Sequence, residues 1–190
     1  SGTMGTAEVL NFIVEAAADL LDLPYTRAFI LEGDILRLHA QHGGMLVNTK
    51  NIDFQIDERA GGIAVKSADI FYIKNVRDSP HWKNPKRQIE EGIGSYLAVP
   101  LINDDSVIGI LECMVLGVRE FTANDLDLMN TFAAHAAIAI ENVRLHEDSQ
   151  KSQQFFESIV RDNVDAIIIS DLDTKVMFWN SGAERLYGFS

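Results

Sequence analysis

Along the chain, apolar residues recur first at helical spacing and then at strand spacing. Val9, Leu10, Ile13, Ala17, Leu20 and Leu21 fall three and four residues apart, which predicts a helix over Thr6–Asp22 with Thr6 as N-cap and Pro24 beyond its end. Two strands are predicted next, 26–31 and 35–39, joined by Glu32-Gly33-Asp34, where glycine tolerates the positive φ of a tight turn. Ile52, Phe54 and Ile56 alternate with polar neighbours in a half-buried strand, 59–67 reads as a short helix, and 70–73 as a strand. Residues 75–94 form a long polar connection, of the kind that is usually functional when it sits inside a compact domain. Strands 95–102 and 106–116 are apolar on both faces, as in the centre of a sheet, and Asn103-Asp104-Asp105 turns between them.

The last strong pattern is a long helix capped by Thr122 with Asp125. Leu126, Met129, Ala133, Ala136, Ile140 and Val143 form a heptad seam, read as packing within the domain and as the interface of a homodimer. The helix is expected to reach at least Leu145. From Phe155 a second unit begins, with a short helix, strands at 166–170 and 175–180, and a helix start that ends with the chain at Ser190. A hairpin and one helix are too little to fold alone, so this unit reads as part of a domain.

Two groups of motifs resemble known families. Ser95-Tyr-Leu-Ala-Val-Pro-Leu101, Val107-Ile-Gly-Ile-Leu-Glu112 and Phe132-Ala-Ala-His-Ala-Ala-Ile-Ala-Ile-Glu-Asn142 with Arg144-Leu145 make residues 6–146 resemble a GAF domain. Ile169-Ser-Asp171, Phe178-Trp-Asn180 and Ala183-Glu184 make residues 155–190 resemble the start of a PAS domain. The resemblance implies an α+β fold: a central antiparallel sheet of about six strands, with first and last helices on one face and a ligand-pocket cover on the other. Residues 122–160 would be the helical connector, and Ser1–Gly5 is read as a tag outside the fold. The resemblance also implies a sensory module of a bacterial signal-transduction protein, in the manner of the input half of a two-component sensor histidine kinase. A ligand-free structural or dimerisation spacer, and the input domain of a cyclic-dinucleotide enzyme such as a diguanylate cyclase, are the alternatives.

Composition narrows partners rather than chemistry. Sixteen Lys and Arg against 28 Asp and Glu give a formal net charge of −12, which disfavours phosphate backbones and anionic membranes. The one cysteine, Cys113, permits neither an internal disulfide nor a multi-cysteine zinc site, and with no apolar run near the ~20 residues of a membrane span the expected location is cytoplasmic. Nothing adjacent activates the Cys113 thiol, so it reads as a core residue.

The pocket candidates are His81, Trp82, Arg77, Arg87, Tyr96, Glu112 and Met114. Trp82 offers a π-face and His81 an amphoteric ring, whereas the cations at Arg77, Lys83, Lys86 and Arg87 read first as a solvated loop. The Asn-Lys-Phe-Asp-Glu signature of cyclic-nucleotide-binding relatives does not occur. His39, His42 and His81 lack metal-ligand spacing, and His135 lacks the neighbours of a phosphoacceptor and reads as a packed helix residue. No catalytic constellation, metal site or cofactor motif is evident, and the expected ligand is an unidentified small molecule.

Overall fold

The structure, a computed structural model, describes residues 4–44, 52–82 and 92–188. They divide into two compact units, 1–143 and 144–190.

The first unit is built on a six-stranded antiparallel sheet ordered β3-β2-β1-β6-β5-β4. Its strands are β1 (Tyr25–Glu32), β2 (Ile35–His42), β3 (Phe54–Gln55), β4 (Phe71–Ile73), β5 (Ile93–Asn103) and β6 (Ser106–Leu116). β1 and β2 extend beyond their predicted ends, while the alternation around Phe54 yields only two paired residues.

Helix α1 (Thr6–Leu21) has Gly5 rather than Thr6 as its N-cap, and Glu8 Oε2 accepts from Gly5 N at 3.0 Å. Gly5, assigned to a tag by sequence, is therefore part of the helix start. Asp22 ends the helix at φ 51°, turning the chain into β1. Helix α2 (Gly61–Ser67) is shorter than expected, and helix α3 (Ala123–Asp162) is longer. α3 absorbs the turns at Phe155–Val160 that the sequence assigned to a separate element.

The sheet separates two apolar layers because successive side chains alternate across it. On one side Leu97, Val99, Leu101, Leu111, Cys113 and Val115 pack with Leu10, Ile13, Val14 and Ala17 of α1 and Met129, Ala133, Ala137 and Ile140 of α3. On the other, Tyr96, Ala98, Ile110 and Met114 pack with Ala64 of α2 and with Ile73 and Val76. The first and last helices of the unit thus share one face, and α2 with the chain after β4 covers the other.

The seam residues of α3 face inward. Met129, Ala133 and Ile140 are fully buried and Ala136 is 5 % exposed, while Leu126 and Val143 are half-buried. Alanines at two of the six seam positions allow the helix to lie close on its own sheet, the packing within the domain that the seam predicts. The outward face of this part of α3 carries Leu128 and Ile138 instead. His135, expected to be packed, is exposed.

In the second unit, β7 (Ile168–Ser170) and β8 (Val176–Trp179) form a hairpin followed by α4 (Ser181–Tyr187). Asn180 is fully buried and organises it. Its Oδ1 accepts from Ile167 N (2.8 Å) and Ala183 N (2.9 Å), capping α4. Its Nδ2 donates to Val160 O (3.0 Å) and Asp165 O (2.9 Å), which ties the end of α3 to the hairpin.

Candidate functional site

Polar chemistry on the α2 side of the sheet centres on Glu112. It lies on β6, and Tyr96 on β5 is the Cα partner of Met114, so Tyr96 and Glu112 are diagonal neighbours on one face. The Tyr96 hydroxyl donates to Glu112 Oε1 at 2.6 Å, with Tyr96 2 % and Glu112 7 % exposed. Burial pushes the Glu112 carboxyl above its ordinary range, opposed by the Tyr96 hydrogen bond and by the charges of Arg27 and Arg59. Burial and the nearby carboxyl push the Tyr96 phenol upward, which keeps it the donor.

Helix α2 closes over this pair. A Cβ on Gly61 would stand 2.9 Å from both Glu112 Oε1 and Tyr96 Oη, and one on Gly62 would stand 1.7 Å from Ile56 O. The two adjacent glycines are therefore a close-approach device, which explains Arg59-Ala-Gly-Gly62 without any phosphate loop.

Trp82 packs edge-on against Tyr96, with ring centroids 5.0 Å apart. The residue is half-buried, yet its indole Nε1 is buried and has no hydrogen-bond partner, the one such side-chain atom among the described residues. His81 is exposed and packs edge-on against Phe71 at 5.5 Å. The structure thus brings together Trp82, Tyr96, Glu112 and Met114, whereas Arg77 is exposed. Arg87, with Lys83 and Lys86, lies outside the described residues. An open cleft of about 460 Å³ lies elsewhere, between Ile73, Lys74, Asn75, Asp78, Ser79 and Val118, and includes none of the expected pocket residues.

The sequence reading missed a second polar centre, at Ser95. This fully buried residue donates from Oγ to Lys74 O (2.6 Å) and accepts from Arg119 N (2.8 Å). Tyr72 Oη donates to Arg119 O (2.7 Å) and accepts from Phe121 N (3.3 Å). The Arg119 guanidinium donates to Leu21 O (2.6 Å) and stands 5.0 Å over the Phe121 ring. One junction therefore joins the chain leaving β4, the end of α1 and the residues leading into α3. Ser95 opens one of the family-like stretches of the sequence, but nothing in that stretch marks its hydroxyl as the centre of a junction.

Cys113 is fully buried on the helix side, and burial raises its thiol above the ordinary value, so little thiolate is available. Among the described residues no group of His, Cys, Asp and Glu is arranged to hold a metal, and no helix is long and apolar enough to cross a membrane.

The sheet order, the helix pair on one face and the closed α2 face can be set against known proteins. The sequence pattern of the GAF domain family matches residues 3–141. The chain belongs to the GAF family. Its fold is similar to the GAF domain of a phosphoenolpyruvate-protein phosphotransferase from Coxiella burnetii (TM-score 0.67, 19% identity, 77% of this chain and 89% of that one). It is also similar to the second GAF domain of DevS from Mycobacterium smegmatis (0.61, 21%, 76% and 99%). A third likeness is to the blue-light-absorbing form of the PixJ GAF domain of Thermosynechococcus elongatus (0.62, 13%, 79% and 93%). No curated protein sequence matches the chain. A GAF domain is a regulatory small-ligand-binding module of signalling proteins.

Proposed function

We propose that this GAF domain senses a small molecule on its α2 face and passes the bound state to α3. The buried Tyr96–Glu112 pair carries this reading. A face that only filled space would be cheapest to build from apolar side chains, because burying a carboxyl opposes folding unless the group does something else. The junction around Ser95 supports the relay, since Lys74 precedes the cover and Arg119 precedes α3. A ligand shifts such a system only by its differential affinity for two packings.

Downstream, the helix–hairpin–helix order of 155–190 and the Asn180 cap support the opening of a PAS domain, and a sensor histidine kinase is the parent that suits this arrangement. A cyclic-dinucleotide enzyme is the alternative parent. Pairing with a second copy through α3 belongs to the same reading, with the outward Leu128 and Ile138 in place of the buried seam. The rival reading, a structural spacer, is favoured by the dense filling of this face by Phe29, Phe54 and Ile110. Replacing Glu112 with Leu separates the two. A sensor loses its ligand-induced thermal shift in this variant, whereas a spacer only gains stability and has no shift to lose.

A further inference from the structure

Trp82 is the anomaly of the α2 face. Buried donors are almost always paired, and an exception at a described side chain calls for a reason. The indole also stands against Tyr96, whose hydroxyl is engaged with Glu112, so neither of these neighbours pairs with the N–H. We propose that the α2 face takes an uncharged, flat small molecule whose carbonyl or ring-nitrogen acceptor pairs with Trp82 Nε1–H. This rests on the reading of that face as the ligand site and specifies the class of ligand.

The class follows from what surrounds the donor. Trp82 and Tyr96 supply ring surfaces inclined at 63°, which suit a flat apolar body. A charged molecule loses its hydration on entering, and the charges near the site already face one another: Arg27 is the cross-strand partner of Glu112 on the same face, and Arg59, whose guanidinium stands 4.9 Å over Phe54, also acts on the Glu112 carboxyl. Both arginines act on the Glu112 charge, which places them within electrostatic reach of the site. An apolar ring without an acceptor would leave the indole N–H unpaired, so shape alone does not satisfy the site.

Four probes of one ring size test this by calorimetric titration of the whole chain: benzamide, benzoate, benzamidine and toluene. Benzamide is expected to bind about tenfold more tightly than each of the others, the worth of one buried hydrogen bond or of not desolvating a charge. In Trp82→Phe, which keeps a ring against Tyr96 and removes the N–H, the preference for benzamide over toluene is expected to vanish. Benzoate or benzamidine binding as tightly as benzamide, or an unchanged preference in Trp82→Phe, overturns the proposed class and leaves the α2 face as a ligand site. Binding of none of the four overturns the class and the ligand-site reading together. Should Trp82→Phe not fold, the ranking in the unaltered protein decides alone.

Discussion

Tyr96 Oη lies 2.6 Å from Glu112 Oε1 although sixteen positions separate the two residues, and both are buried. The relationship depends on a register shift between Leu101 and Ile102. A regular ladder growing from the turn pairs Asn103 with Ser106 and would bring Tyr96 opposite Cys113; the shift brings it opposite Met114 instead. Because side chains alternate, a one-residue shift decides which face Glu112 shares with Tyr96. Tyr96→Phe should therefore cost about 1–3 kcal/mol, the penalty for a buried acceptor losing its donor. Chemical denaturation of the two proteins at one pH measures it.

The same pair sets a pH dependence. The folded-state value of Glu112 is raised above the ordinary 4.5, so the folded protein holds this proton more tightly than the unfolded chain. Its contribution is fully present below about 4.5 and is lost as pH rises through the folded value. Asp125 acts oppositely: its bonds to Thr122 hold it below the ordinary 3.8, and the stability it adds is lost as pH falls through its folded value. In denaturation at pH 5 and pH 8, Glu112→Gln should gain on the parent protein at the higher pH. An equal gap at both pH values would remove Glu112 from the account.

Asp104 and Asp105 turn β5 into β6 with both φ angles positive, 45° and 62°. Two-residue turns of this hand favour Asn-Gly, because ordinary side chains are strained there. Replacing the pair with Asn-Gly should stabilise the protein by about 1 kcal/mol, read as a raised thermal midpoint with unchanged near-ultraviolet dichroism.

The two faces of α3 should respond differently to charge. Ala136→Glu places a carboxylate in the core and should unfold or strongly destabilise the first unit, whereas Ile138→Glu, at a position 51 % exposed, should leave the fold intact. If copies pair through the outward face, Ile138→Glu also lowers the mass seen by light scattering. An unchanged dimer mass would move pairing to another surface.

Ser95→Ala leaves Lys74 O and Arg119 N without their side-chain partner, at a cost of about 1–3 kcal/mol. If the junction couples the cover to α3, hydrogen exchange should quicken both at 74–79 and at 121–126. Acceleration confined to one side would make Ser95 a local support only.

Most of the fold was legible because its apolar patterns are strong. The continuous apolar runs of β5 and β6 and the three-four spacing in α1 and α3 name the elements directly. What was illegible depended on partners distant in sequence. The α3 seam has the spacing of a coiled coil, but the same spacing serves a helix lying on a sheet, and only tertiary packing decides between them. Tyr96, Glu112 and Trp82 stood out as separate candidates, while their grouping required the register shift and the two glycines of α2. Ser95 was invisible because its partners are backbone groups, which no side-chain motif encodes.

The central claim, that the α2 face binds a small molecule, meets its most direct test in thermal unfolding of the whole chain across a panel of neutral, cationic and anionic metabolites. A ligand of the folded state raises the midpoint by an amount that grows with RT ln(1 + [L]/Kd). The account predicts at least one compound with a concentration-dependent rise that is lost in Glu112→Leu. A flat midpoint across the panel, or a rise that survives Glu112→Leu undiminished, would contradict it.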